Sequence, residues 1–588
     1  MADLSPERRL LIAFALTFLL LMAWSAYFKP APPPAEPPPA EAPPDVTEPA
    51  AQPEPPAQTA PVRGAAPGTL ASEVQRATEE RMLTVETDTS TIVFSTRGAV
   101  VTSWRLKNYR DKAGRPLELV QGRKTDLGYP LSLVLADAQQ EKAVNSALFL
   151  VNTAEAELSA PTELVFEWSD GALTARKRIH VERDFLTEIE TTVFEGGQPV
   201  EHRLAWRGGF GASGDDASGG RGPQAQVFLR TPAKRQAQPA GQAGQVTRWL
   251  WLWQSPSPFP FTGQASYAGI EDSYFAAVFL PRQPQLSASA WTNQWVPEGE
   301  EKEQPVGSVA VGVPNGNALR LFVGPKAVEV LETIQPAGFA EGKQPELADE
   351  LVDFGWFWWV AKPLFLAMKW MHDHWIANYG WVIVLLTIII TTVLFPLRWK
   401  SMDSAWKMQK VAPQVKAIQA RYKQYKFNDP RKQQMQQEIM ALYKQHGVNP
   451  VGGCLPMLLQ MPFFFGFYKV LSVAIEIRQA PWVLWIHDLS EKDPYYVLPI
   501  VMAATMYLST RMTPMTTADP TQQRLMRLMP LMFGFLFLQV SAGLVLYWLT
   551  SNAVGIGQQW WLNKHQRERD AAEKQAAREH KKKKRRKE

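Results

Sequence analysis

Cysteine is almost missing from this chain: among 588 residues Cys454 stands alone. A single thiol cannot build an internal disulfide framework or a cysteine metal cluster, and a lone cysteine beside two glycines reads as a small packing residue. An internal repeat is also lacking, which argues against a transporter assembled from repeated halves. Within the long apolar runs ionisable residues are scarce, Lys469 being the one deep charge. The β-rich region contains no compelling acid/base cluster, so an enzymatic centre there has no support in the residues.

What is present divides the chain into unlike parts. Leu10 to Phe28 is an uncharged apolar run of 19 residues, close to the ~20 that cross a bilayer. Arg8 and Arg9 precede it, and no small-x-small cleavage site follows. We read an anchor at 10–28 whose leading residues 1–9 stay in the cytoplasm. Residues 29–80 are a linker rich in Pro, Ala and Glu without a hydrophobic pattern; fully extended, its Pro-rich core reaches on the order of 100 Å. From 81 to 345, short alternating runs such as TIVFS, LTEIETTVF and ALRLFV lie between Gly, Pro and Asp clusters. This predicts a largely antiparallel β-sandwich on the far side of the membrane. Within it the Gly/Gln/Ala-rich stretch Gly208 to Gln245 reads as a mobile loop.

Residues 352–376 combine many tryptophans with Lys362 and Lys369, the composition of an interfacial helix lying on the membrane. His372, Asp373 and His374 resemble a metal motif, but adjacent helical residues point in different directions, which favours polar termination of the helix. Apolar runs then predict spans at 377–397, 454–475, 494–512, 525–540 and 541–562, the last two separated at Ser541-Ala542-Gly543. With the anchor that makes six spans and places both termini inside. The loops agree with this orientation: 398–453 holds 11 Lys/Arg against 3 acids, 476–493 holds 2 against 4, and the tail from Lys564 holds 12 against 5. The loop at 513–524 completes the cytoplasmic side, and 563–588 is a basic cytoplasmic tail.

The cytoplasmic loop is patterned. Residues 401–426 and 431–446 have helix-forming composition, with Asn428-Asp429-Pro430 supplying a cap and a first-turn proline. This predicts a helical hairpin. Met402, Met408, Met435 and Met440 sit in it beside Lys and Gln, and two readings stand: adaptable contacts to varied apolar partners, or packing of the hairpin itself. Asn449 to Pro462, NPVGGCLPMLLQMP, opens the next apolar run with glycine and proline that only neighbouring helices can accommodate. Polar residues recur inside the spans, namely Thr387, Thr391, Thr392, Gln460, Gln539, Ser541, Ser551, Asn552, Gln558 and Gln559. They serve either as interhelical contacts or as the lining of a hydrated cavity. The terminal HKKKKRRKE reads first as an orientation signal that attracts anionic lipid, with ribosomal RNA a partner of the same sign.

NPVGGCLPMLLQMPFF, RQAPWVLWIHDLSEKDPYYVLPIVM, DPTQQRLMRLMPLMF and SAGLVLYWLTSN resemble the bacterial YidC membrane-protein insertase family, across about residues 352–562. The anchor, linker and large β domain resemble its Gram-negative form, in which VGPK at 323–326 fits the domain's C-terminal edge. The resemblance implies a polytopic α-helical membrane protein of six spans with a five-helix insertase core. It also implies a periplasmic all-β supersandwich similar to sugar-mutarotase folds. It implies insertion of nascent membrane proteins, alone or with the Sec translocon, through a hydrophilic groove open to cytosol and lipid. No bond is made, so no enzyme, cofactor or metal is implied. The partners implied are nascent chains, the translocon, the ribosome through basic tail and loops, and membrane lipids, but not DNA. By position Thr387, Gln460, Phe464, Tyr547 and Trp548 carry over as groove and slide residues. One departure stands out. The family usually carries an arginine five residues before the proline of its Tyr-Pro-Leu, and here Phe395-Pro396-Leu397 puts Thr391 at that position. Arg398 and Lys469 are the candidate replacements. A polytopic transporter or channel with an accessory periplasmic binding domain is the alternative.

Overall fold

The computed structural model describes residues 74–585 except 112, 122–126, 212–224, 246, 250–252, 256, 296–302, 314–316, 340–345, 426–428, 430, 448–454 and 514–519. The anchor at 10–28, nearly all of the linker and the glycine turn with Cys454 lie outside these residues. The described chain forms two compact units that meet in sequence at Val352 and Asp353.

The first unit is β-rich because its strands alternate. In Leu173–Val181 the odd positions Leu173, Ala175, Lys177, Ile179 and Val181 are buried while the even ones are not, the two-residue period of a half-buried strand. The runs TIVFS, LTEIETTVF and ALRLFV fall on the strands Ser90–Ser95, Leu186–Glu195 and Asn317–Pro325. A ten-stranded sheet has Leu186–Glu195 near its middle, between Asn317–Pro325 and Leu173–Val181, all antiparallel. Two five-stranded sheets accompany it, one containing the described unit's parallel pair, Met82–Glu86 with Glu157–Ser159. Aromatic pairs join the sheets: Phe94 with Phe166 at 6.3 Å and Trp104 with Trp206 at 6.4 Å.

Part of the stretch expected to be a mobile loop is sheet. Gln226–Arg230 pairs with Arg235–Pro239 on one side and Tyr267–Glu271 on the other. Val227, Phe228 and Leu229 are fully buried there, so three consecutive apolar residues outweigh the Gly, Gln and Ala around them. Helices α1 (Ala138–Ser146), α2 (Val328–Glu332) and α3 (Leu347–Leu351) are short. Glu350 of α3 accepts from Arg230 Nε at 2.6 Å and from the Tyr267 hydroxyl.

The second unit is helical: α4 (Trp358–His374), α5 (Tyr379–Val393), α6 (Phe395–Arg421), α7 (Arg431–Gln445), α8 (Leu455–Val473), α9 (Val497–Met512), α10 (Pro520–Phe537) and α11 (Ala542–Arg585). α5 and α6 meet at a 56° bend, where Pro396 removes a backbone donor. α6 and α7 form the hairpin around Val411, Val415, Ile418 and Ile439. Asp429 accepts from the Arg431 amide at 2.9 Å and so caps α7. Between α10 and α11 the chain breaks at 538–541, and α11 then runs 44 residues without interruption, through the segment read as a basic tail; at 1.5 Å per residue that is about 66 Å. Among the described residues no single helix is long and apolar enough to cross a membrane. α5 and α6 pass that test together, and Val497–Met512 and Leu528–Phe537 are shorter apolar helices.

Candidate functional site

Gln460 of α8 faces α11. Its Nε2 donates to the Tyr547 hydroxyl at 2.6 Å and lies 3.3 Å from Ser551 Oγ, both on α11. Tyr547 is buried and stacks on Phe467 at 4.3 Å. One turn from Gln460, Phe464 meets Trp548 edge-on at 4.9 Å, and Phe537 of α10 meets the same indole at 5.2 Å. Phe533 adds a stacked contact to Trp548 at 6.3 Å. Gln460, Phe464 and Phe467 share a face because they are spaced four and three apart. Phe467, Phe533 and Phe537 were not among the residues expected at this site, although the same spacing in the sequence marks them.

Thr387 and Thr391 are buried on α5. Their hydroxyls donate to the carbonyls of Ile383 and Thr387, each at 2.6 Å. Each threonine therefore satisfies its own proton within its helix. Gln558 of α11 donates to the Thr391 carbonyl at 3.3 Å and accepts from Arg398 Nη1 at 3.5 Å. The Arg398 guanidinium rests on Gly555, where a Cβ would fall 2.6 Å from Nη1. A Cβ there would push the guanidinium aside, so glycine lets it lie this close. Among the described residues Arg398 has no carboxylate at ion-pair distance. Thr391 and Arg398 thus share one glutamine. Thr392, Phe395, Val554, Gly557, Gln558 and Trp561 line an open cavity of about 420 Å³ beside them.

Lys469 is brought elsewhere. Its ammonium lies 3.7 Å from Asp353 Oδ2 and its stem packs over Gly355, at the entry to α4. It is thus paired with an acid at the edge of the Trp-rich segment, whose Trp356, Trp358, Trp359 and Trp375 face outward. His372 stacks on Tyr379 at 4.0 Å and its Nδ1 lies 3.1 Å from Asp373, while His374 Nδ1 pairs with the Trp370 carbonyl. The three do not converge on one point.

In the hairpin Met402 and Met408 are buried and Met435 packs against its core, whereas Met440 is 54% exposed. The hairpin and the end of α11 are joined by ion pairs: Lys410 Nζ lies 2.8 Å from Asp570 and 3.5 Å from Glu573, and Arg569 lies 3.8 Å from Asp403. The Lys410 hydrogen bond holds the Asp570 carboxyl below its ordinary range.

Two family models match this chain. The one described as 60Kd inner membrane protein covers residues 370–569, and the one described as YidC periplasmic domain covers 82–205 and 256–367. A membrane protein insertase YidC of Syntrophus aciditrophicus is 34% identical over 589 residues, spanning 95% of this chain and 99% of that protein. Those of Oleidesulfovibrio alaskensis and Geobacter metallireducens are each 33% identical, over 588 and 577 residues and 95% of this chain. They are covered over 99% and 98% of their own lengths. A solved active YidC insertase with its first transmembrane domain resolved aligns at 18% identity and a TM-score of 0.33, over 83% of this chain and 94% of that one; that likeness carries no weight beside the relatives. With identity of this level sustained from one end to the other, the chain belongs to the YidC membrane protein insertase family.

Proposed function

We propose that this chain inserts nascent inner-membrane proteins into the bilayer and helps them fold, alone or with the Sec translocon. The observation that carries the reading is two polar groups inside otherwise apolar helices, Gln460 with Tyr547 and Ser551, and Gln558 with Thr391 and Arg398. Polar groups at membrane depth belong at a bundle interior or a wet cavity. In this reading they line a hydrophilic groove open to the cytosol and to lipid, framed by α5, α8, α9, α10 and the first half of α11. With the anchor at 10–28 these make six spans, both termini cytoplasmic, and the β unit is a periplasmic supersandwich.

The groove receives the polar segment of a nascent chain and shortens its passage through hydrocarbon, where an exposed charge costs at least ~2.5–3.5 kcal/mol. The apolar segment leaves along Phe464, Phe537 and Trp548, whose rings offer an oily track between α8 and α10. No bond is formed or broken, so the protein acts as an insertase and not as an enzyme. Arg398 supplies the groove's positive charge in place of an arginine at 391. Its lack of an acid partner among the described residues supports this, and the pairing of Lys469 with Asp353 supports a place for Lys469 at the outer interface. Met440, the basic end of α11 and the cytoplasmic loops face the ribosome and nascent chain, and lipids surround the bundle.

The test is depletion of the protein followed by an assay of small membrane-protein insertion. Insertion should fall and recover on re-expression; normal insertion after depletion would overturn the reading.

A further inference from the structure

α5, the first turn of α6 and α11 leave the cavity of about 420 Å³ unfilled between them, a volume within the ~300–1,000 Å³ of small-ligand sites. It opens outward: Thr392 and Gly557 are exposed and Trp561 is 38% exposed, whereas Thr391 and Tyr547, members of the two polar groups, are buried. Val554, Gly557, Gln558 and Trp561 form one stripe of α11 because they are spaced three, four and seven apart. The stripe is hollow at Gly557, where a Cβ would meet nothing within 4 Å. The polar side chains of the lining are already engaged. The Thr392 hydroxyl donates to the Ile388 carbonyl at 2.7 Å, and the Gln558 amide is shared between the Thr391 carbonyl and Arg398. What the cavity offers an occupant is therefore apolar surface.

One end of the cavity is marked by rings. Trp561 meets Trp399 edge-on at 5.6 Å and Phe395 at 5.8 Å, and tryptophan favours the headgroup level of a bilayer. One turn beyond Trp561, on either side of its stripe, come Lys564 and His565. Lys564 is exposed with its ammonium 6.0 Å from the centre of the Trp560 ring, and among the described residues it has no carboxylate at ion-pair distance. His565 stacks on Trp561 at 4.7 Å and lies 3.6 Å from Glu568. On α6 the Asp403 carboxylate is taken by Lys407 at 2.8 Å, and none of the residues lining the cavity is acidic. Apolar surface alone would suit a second copy of this chain; an unpaired ammonium past a tryptophan rim suits an amphiphile with a negative head. We propose that this cavity holds one acyl chain of an anionic phospholipid whose phosphate lies at Lys564, so that a bound lipid completes the packing of α5 on α11. The inference rests on the proposed reading of these two helices as spans.

The test is native mass spectrometry of the full chain in mild detergent, titrated with dioleoyl phosphatidylglycerol or dioleoyl phosphatidylcholine. One phosphatidylglycerol should bind about 5-fold more tightly than phosphatidylcholine, the effect of one lysine at an anionic headgroup. Lys564→Gln should make the two lipids equal. Gly557→Leu fills the cavity from a position with open space and should weaken both lipids on the order of 10-fold, the displacement of about two methylenes. Its melting temperature should not fall, because leucine favours a helix over glycine. Unchanged lipid affinity in Gly557→Leu overturns the site, and a preference for phosphatidylglycerol that survives Lys564→Gln overturns the role of that ammonium. Equal binding of the two lipids by wild type overturns headgroup recognition. Displacement of the lipid by glycerol 3-phosphate alone, or a dimer that carries no lipid, gives the cavity another occupant and overturns the proposal. If Gly557→Leu fails to fold, Gly557→Ala should still weaken binding about 4-fold, one methylene's share, and no change there overturns the site. Normal insertion after depletion, with one phosphatidylglycerol still bound to the purified chain, would sink the insertase reading and leave this site standing.

Discussion

Replacing Lys177 by methionine isolates the most unusual charge in the β unit. Lys177 takes an inward position in the strand Leu173–Val181 and is fully buried. Its ammonium donates to Gly98 O at 2.7 Å, Ala99 O at 3.0 Å and Leu131 O at 2.6 Å. Those carbonyls belong to two turns in which Gly98, Ala99 and Leu131 all have positive φ. One side chain therefore holds two left-handed turns against the sheet. Methionine keeps the length and the apolar stem but donates nothing. Each buried carbonyl left unpaired costs ~1–3 kcal/mol, and relief from burying the ammonium offsets part of the total. We expect a net loss of about 3–5 kcal/mol near pH 6.5. Burial, helped by the Arg207 charge, pushes Lys177 down from 10.5 to about 7. The unfolded chain thus binds the extra proton between about pH 7 and 10.5, and the Lys177 contribution to stability rises with pH across that window and falls as pH drops through 7. Denaturant-dependent hydrogen exchange of the 173–181 amides in the full-length protein reads both effects. Wild type should show the pH rise and Lys177→Met should lose it. A variant within about 1 kcal/mol of wild type at pH 6.5 would refute the idea that this ammonium holds the turns, since even one orphaned carbonyl exceeds that.

Two further predictions concern the helical unit. Arg398→Ala should lower insertion of a substrate with an acidic translocated tail and spare one with a neutral tail, whereas Lys469→Ala should leave both near wild type; equal activity of all three proteins would show that groove charge is dispensable. Gly380→Ala drives a methyl group into Trp482, 2.2 Å from its ring, and overpacking of this kind costs ~1–3 kcal/mol, so the melting temperature in detergent should fall; an unchanged value would show that the Trp482 segment yields freely.

Much of the architecture is written in local pattern. Alternation in LTARKRIHV makes a strand with one face inward, and apolar runs ended by charge mark the helices from Tyr379 onward; both signals come from periods set by the backbone itself. Gln460 and Phe464 were legible for the same reason, being one turn apart in an apolar run that needed partners. The stretch around Val227 was misleading because composition outside QVFLR outvoted three apolar residues whose strand partner, Tyr267–Glu271, lies some forty residues on. The basic tail likewise concealed a helix that runs unbroken to Arg585.

The sequence alone determined the β-rich and helical parts, the charge of each loop, the family, and the vacancy of an arginine at 391. Tertiary structure decided what surrounds each candidate charge. As letters, Arg398 at the head of a basic loop and Lys469 within an apolar run are both open candidates. Folding puts Gly555 and Gln558 beside one and Asp353 beside the other, because partners on α11 and at the entry to α4 are distant in the chain and adjacent only once the helices pack. The same holds for Asp493, an ordinary loop acid until three N–H groups close around it.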